Sequence, residues 1–210
     1  MLIKDYMSSD VITVTPEDNV GKAFDLMREH SIRRLPVMKN DRLVGIVSKQ
    51  DLMRVSPSPS TSLSVWEINY LYPRLKIKEA MSEDVLTTSP DTALGQAALT
   101  LQENAISTLP VMEDGKLVGI ITESDIFKAF VDVFGFKHSD LRLNLEVEDK
   151  VGVLAQIVKV ISEMNINIMS TVVRELENNK ARIILYLDTD DMERVKAALK
   201  ERELGIINYE

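Results

Sequence analysis

Apolar residues recur at helical spacing at Val20, Ala23, Phe24 and Met27. Ahead of them Val11–Val14 is a short β-rich run, and Thr15-Pro16-Glu17-Asp18 carries a helix-start signal. This predicts Thr15 as N-cap, Pro16 in the first helical position and acids in the first turn, where they meet the helix dipole. Leu35–Met38 then predicts a strand, Asn40-Asp41 a turn, Arg42–Ser48 a buried strand, and a further helix starts near Lys49. The same alternation returns later in the chain. Ser89-Pro90-Asp91 opens a helix whose apolar stripe is Leu94, Ala97, Ala98 and Leu101. Asp114-Gly115 is a strong tight-turn signal before a strand at Lys116–Thr122. Each copy therefore reads β-α-β-β-α.

The recurrence is an internal repeat. Residues 77–129 align with residues 3–55 at a constant offset of 74 without a gap, and 21 of 53 positions are identical. Two such units are expected to pack about a pseudo-twofold axis, so a pocket in one is expected in both. Between them lies Ser56-Pro57-Ser58-Pro59-Ser60-Thr61-Ser62, followed by Leu63, Trp66 and Tyr70 at the spacing of a short amphipathic packing helix. Composition changes again at Phe134-Gly135-Phe136-Lys137-His138. Beyond it, Leu141–Val147 alternates as a strand, Val153–Met164 is an amphipathic helix, and Ile166–Arg174 and Ala181–Leu187 are strands joined by a polar turn. Met192–Arg202 is a helix and Gly205–Tyr209 a last strand, which completes the ferredoxin-like order β-α-β-β-α-β. The fold class is α+β. The expected boundaries are residues 1–56, a linker at 57–76, residues 77–135, and a third domain at 139–210.

Composition narrows the chemistry. The absence of cysteine excludes disulfides, thiolate metal sites and a cysteine nucleophile. No apolar run reaches the ~18 residues of a membrane span, and the start lacks a signal-peptide pattern, so the expectation is a soluble, cytoplasmic protein without membrane partners. The net charge of −8 argues against nucleic acid as a partner. That charge is uneven: residues 1–78 carry twelve Lys and Arg against nine Asp and Glu, whereas residues 79–135 carry two against ten. The basic first repeat suits an anionic small ligand; it equally suits an interface with the acidic second repeat.

The repeated phrases identify a resemblance. Met-x-x-Asp-Val-x-Thr near each start, Pro16 and Pro90, Leu-Pro-Val at 35–37 and 109–111, and Leu-Val-Gly-Ile with a following Ser/Thr-x-x-Asp resemble CBS domains (the cystathionine-β-synthase type) in a tandem Bateman pair. The residues suggest how such a pair works. Ser48 with Asp51, and Thr122 with Asp125, put a hydroxyl and a carboxylate at a strand-to-helix junction. The hydroxyl and helix N-terminus can bond a phosphate, and the carboxylate can accept from two sugar hydroxyls. The alternative is that both pairs simply cap helices. The resemblance implies an adenosine ligand such as AMP, ADP, ATP or S-adenosylmethionine, bound around Ile12, Thr13, Arg33, Arg34, Pro36, Ser48, Lys49 and Asp51. The matching positions in the second repeat are Thr87, Thr108, Pro110, Thr122 and Asp125. Repeat two has Ser107, Thr108 and Glu123 where repeat one has Arg33, Arg34 and Lys49, so the phosphate is expected in repeat one.

Residues 141–210 resemble an ACT domain through Glu146-Val-Glu-Asp149-Lys-Val151-Gly152-Val153-Leu154 and Asn165-Ile-Asn167-Ile. ACT modules usually have proline where Val151 stands. The resemblance implies an amino-acid effector near Asp149, Val151, Gly152, Val153 and Leu154, with Asn165 and Asn167 reaching in from a neighbouring subunit. In the alternative reading Asp149 is a helix N-cap and the asparagines form a turn. A tandem CBS pair followed by ACT resembles the acetoin-utilisation B family. CBS pairs also sit inside IMP dehydrogenase, but these 210 residues leave no room for its barrel and hold no cysteine nucleophile. No catalytic triad, His-x-x-x-His or phosphate-binding Gly-Lys-Ser/Thr loop is present. The expectation is a non-enzymatic sensor without resident cofactor or metal, acting as a homodimer on an unidentified regulated protein. The alternative is a scaffold whose pockets are vestigial.

Overall fold

The computed structural model describes residues 1–56, 74–133, 141–202 and 206–209. The Ser-Pro linker beyond Ser56, the segment around Trp66 and the Phe134–His138 junction lie outside the described residues. The chain forms two compact units, Met1–Ile126 and Phe127–Glu210.

In the first unit each repeat contributes a helix, a two-stranded antiparallel hairpin and a second helix. Repeat one has α1 (Val20–Glu29), β1 (Arg34–Lys39), β2 (Arg42–Ser48) and α2 (Lys49–Val55). Repeat two has α3 (Leu94–Glu103), β3 (Thr108–Glu113), β4 (Lys116–Thr122) and the start of α4 (Glu123–Val133), which runs on past Ile126, where this unit ends. The hairpin turns need positive φ at two successive residues, which Asn40 (49°) and Asp41 (60°), and then Asp114 (49°) and Gly115 (76°), supply. Val20, Ala23 and Met27 of α1 bury against Leu35, Val37, Val47 and Leu52.

The helix starts differ from the sequence expectation. Thr15 does not cap α1, because the Asp18 carboxylate accepts from the Thr15 N–H at 2.7 Å and closes a separate turn. Asn19 is the cap, accepting from the Lys22 N–H at 2.8 Å. In repeat two α3 begins after Ala93, and Ser89 bonds Thr92 instead of capping. The predicted leading strands shrink to single parallel bridges, Val14 to Val37 and Thr88 to Val111.

The cause is an exchange of leading segments between repeats. Residues 1–8 bond to repeat two: Ile3 N–H to the Thr92 carbonyl, Lys4 N–H to Pro90, and Ser8 in both directions with Ile120. Seventy-four residues on, Ile77 N–H bonds Asp18, Lys78 N–H bonds Pro16, and Ser82 pairs with Ile46. Every bond in one set has its counterpart in the other, which is the pseudo-twofold relation written in hydrogen bonds. Carbonyls at residues 16 and 18 that serve the incoming segment are held outside the helix. Ile77, encoded in repeat two, is fully buried in the repeat-one core. The glycine of each Leu-Val-Gly-Ile phrase makes room for this. A Cβ at Gly119 would lie 2.5 Å from Met7 Sδ, and one at Gly45 would lie 2.9 Å from Met81 Sδ.

The second unit is a four-stranded antiparallel sheet of order β6-β7-β5-β8. Its elements are β5 (Leu141–Glu148), α5 (Val153–Glu163), β6 (Asn167–Leu176), β7 (Lys180–Asp188), α6 (Met192–Glu201) and β8 (Ile206–Tyr209). Leu143, Leu145, Ile183 and Leu185 of the sheet share a core with Ile157, Ile161, Val195 and Leu199 of the helices. Asp191 caps α6 by accepting from the Arg194 N–H at 3.0 Å. Asp149 does not cap α5: its N–H bonds the Asn179 carbonyl at 2.8 Å, and Gly152, with φ of 90°, occupies the cap position. No helix among the described residues is long and apolar enough to cross a membrane.

Candidate functional site

The hairpin register sets the site. Arg34 of β1 stands opposite Ser48 of β2, and Thr108 of β3 opposite Thr122 of β4. The Lys49 N–H bonds the Arg33 carbonyl at 2.9 Å, so both arginines lie beside the start of α2. At each strand-to-helix junction the carboxylate closes on the hydroxyl. Asp51 Oδ2 accepts from Ser48 Oγ at 2.6 Å and Ser48 N–H at 2.9 Å. Asp125 Oδ2 accepts from Thr122 Oγ1 at 2.7 Å and Thr122 N–H at 2.9 Å. Arg54 also bonds Asp51 Oδ1 at 3.1 Å. These are capping interactions; they also hold each hydroxyl and carboxylate in a fixed relative position.

Two cavities flank the arginines. The larger, about 430 Å³, joins Arg33 and Arg34 of repeat one to Thr108, Thr122 and Asp125 of repeat two, with Ile12 as an apolar wall. Ser8 at the end of the exchanged segment, Asp10 just beyond it, and His30, Ser107 and Glu123 also line it. A neighbouring hollow of about 330 Å³ shares Arg33, Arg34, Ser107 and Glu123 and adds Ser48, Lys49, Gln50 and Met53. The sequence grouping of both arginines with Ser48 and Lys49 thus appears in the hollow, while the larger cavity sets them against the hydroxyl and carboxylate of the other repeat. Thr13 and Thr87 are exposed and line neither of these two cavities, nor does Asp51. Pro36 and Pro110 are buried in the hairpins, where their carbonyls accept from the Val14 and Thr88 N–H groups. Ser8, Asp10 and His30 escaped sequence reasoning because only the segment exchange and the fold of α1 bring them to this wall. The repeated Met-Ser-x-Asp-Val phrase was the available signal for the first two.

In the second unit Asp149, Val151 and Gly152 form an exposed loop ahead of Val153 and Leu154 at the start of α5. Asn165, with φ of 57°, follows the far end of that helix, and Asn167 opens β6. Eleven residues of helix separate the two groups by about 16 Å. Within one chain the two groups lie apart, at opposite ends of α5. Among the described residues no group of three or more His, Asp or Glu side chains is placed to hold a metal ion.

A pair of repeats enclosing a mixed-charge cavity, followed by a ferredoxin-like unit, defines the class of protein by its architecture. Residues 3–58 and 77–132 match the CBS domain and residues 141–203 the ACT domain, so the chain belongs to the CBS-domain family, as a tandem pair with a C-terminal ACT domain. An acetoin utilization protein (AcuB) assigned from Vibrio cholerae is similar at 28% identity and a TM-score of 0.54, over 65% of this chain and 95% of that one. CBSX2, solved in complex with AMP, is 28% identical with a TM-score of 0.52, over 62% of this chain and 96% of its own. The CBS pair of protein MJ0100, solved with 5′-methylthioadenosine and S-adenosyl-L-methionine, is 27% identical with a TM-score of 0.51, over 62% of this chain and 99% of its own. Inosine-5′-monophosphate dehydrogenase of Korarchaeum cryptofilum is 33% identical over 141 residues, which are 67% of this chain but 26% of the enzyme's length.

Proposed function

We propose that this protein is a non-catalytic sensor that binds an adenosine ligand in the larger cavity of its CBS pair. The observation that carries the reading is the placement of the Thr122–Asp125 pair across from Arg33 and Arg34 in one cavity of about 430 Å³. Asp125 is positioned to exchange its bonds to Thr122 for the vicinal hydroxyls of a ribose. The arginines then meet the charged end of the ligand, and Ile12 covers the base. AMP, ADP, ATP and S-adenosylmethionine all present such a ribose, and similar CBS proteins hold AMP, methylthioadenosine and S-adenosylmethionine. No resident cofactor is needed.

Signalling follows from the exchanged segment. Ser8 and Asp10 belong to the cavity wall while Ile3 is buried beyond it. A ligand that favours one arrangement of this segment shifts the population of the pair by its differential affinity. The protein acts as a homodimer, and the β6 edge of the ACT sheet, with Met169 and Val173 exposed, supports pairing there. An amino acid at Asp149 and Gly152, contacted by Asn165 and Asn167 of a second subunit, completes the reading.

The test is thermal unfolding of the whole chain with AMP, ADP, ATP and S-adenosylmethionine in turn. A ligand at 100 times its Kd adds about 2.7 kcal/mol of stability. Asp125→Asn is expected to remove most of that gain while leaving the ligand-free midpoint within a few degrees. Stabilisation that survives Asp125→Asn would move the site elsewhere. No stabilisation by any of the four would leave the pair as a scaffold.

A further inference from the structure

The two cavities share their arginines but differ in charge. The larger sets the carboxylates of Asp10, Glu123 and Asp125 against Arg33 and Arg34. The hollow beside it sets Lys49, Arg33 and Arg34 against Glu123 alone. Glu123 lies one residue past Thr122, at the first position of α4, and is exposed. Its counterpart 74 residues earlier is Lys49, at the first position of α2. The protein thus uses opposite charges at equivalent places. A nucleoside polyphosphate bound with its ribose at Asp125 and its phosphates on Arg33 and Arg34 would bring several negative charges beside Glu123 and Asp10. Like charges so placed weaken binding and reject the ligand. A ligand carrying a carboxylate and a positive centre meets both sets: the carboxylate suits the planar arginines, and the positive centre suits Glu123.

We infer that Glu123 selects the ligand of the larger cavity by charge, so that its occupant is an adenosine bearing both a carboxylate and a positive centre, not a nucleoside polyphosphate. This rests on the adenosine-sensor reading and narrows it to one ligand class. S-adenosylmethionine is the probe of that class; S-adenosylhomocysteine, which lacks the S-methyl group and with it the sulfonium charge, keeps the carboxylate and the α-ammonium group and so isolates the sulfonium.

Titration calorimetry of the full chain at fixed ionic strength tests the inference, with S-adenosylmethionine, S-adenosylhomocysteine, AMP and ATP, the last with and without Mg²⁺. The expected order is S-adenosylmethionine tightest, with ATP at least about tenfold weaker. Glu123→Lys, which copies the Lys49 arrangement on an exposed position, is expected to weaken S-adenosylmethionine and strengthen ATP enough to close or reverse that gap. Glu123→Gln is expected to fall between. Circular dichroism checks that both variants fold. ATP binding as tightly as S-adenosylmethionine to the native protein, or a preference unmoved by Glu123→Lys, would overturn the charge selection while leaving the sensor reading intact. Absence of binding by all four compounds would overturn both.

Discussion

Asp18 accepts from the Thr15 N–H at 2.7 Å and from Lys22 Nζ at 2.8 Å. Partial burial works to raise its carboxyl, but the bonds from Lys22 and from the Thr15 N–H and hydroxyl outweigh it, and the net position is below the ordinary carboxylate range. A carboxyl depressed on folding contributes most above its unfolded range, near pH 4, and loses that contribution as pH falls further. Asp18→Ala is therefore expected to cost about 1 kcal/mol at pH 7 and markedly less at pH 3. Urea unfolding at the two pH values measures this; an equal cost at both would mean that the carboxylate's charge is not what matters. The same residue explains why Thr15-Pro16 misled as a helix start. The local signal was sound, but the Asp18 side chain took the Thr15 N–H and the Lys78 N–H, 62 residues on, took the Pro16 carbonyl.

The exchanged segments rest on contacts that sequence shows only as repeated words. Gly119 lies under Met7, and an added Cβ would sit 2.5 Å from Met7 Sδ and 3.1 Å from its Cγ. Neither Gly45 nor Gly119 has a positive φ, so the demand at both is for space and not for backbone freedom. Gly119→Ala is expected to destabilise by about 1–3 kcal/mol. Combining it with Met7→Ala should cost less than the sum of the two changes by at least about 0.5 kcal/mol. Chemical denaturation of the four proteins gives that coupling. Strict additivity would show that residues 1–8 do not lie on β4 in solution. At the other strand ends, both hairpins were legible because two successive residues with positive φ demand Asn, Asp or Gly.

The unit Met1–Ile126 and the unit Phe127–Glu210 have separate cores. Calorimetry of the whole chain is expected to show two transitions, with an adenosine ligand raising the one that belongs to the CBS pair. The ACT transition has its own acid sensitivity. Glu146 is held below the ordinary carboxylate range by its hydrogen bond from Lys180, aided by the charges of Lys180 and Arg182. Its contribution is present at neutral pH and is lost as pH falls below about 4. Glu146→Gln should therefore lower the ACT midpoint at pH 7 and leave it nearly unchanged at pH 3. A single transition, moved as a whole by the ligand, would show that the two units unfold together.

Spacing of apolar residues, turn chemistry and a 74-residue internal copy were enough to place the hairpins and the main helices, the α+β class and the pairing of two repeats, but not the leading segments, which form single bridges where strands were expected. Those features are local, or repeat along the chain, and a linear reading sees them. The hydroxyl–carboxylate pairs were legible for the same reason, since three residues separate their members. Which pair faces the arginines was not legible. Arg34 is bound by register to Ser48 in its own repeat, yet the larger cavity opens it toward Thr122 and Asp125. That choice, like the exchange that carries Ile3 and Ile77 into the opposite repeats, depends on burying apolar side chains across the pseudo-twofold interface. Burial of that kind is a property of two packed surfaces, and neither surface exists until the chain has folded.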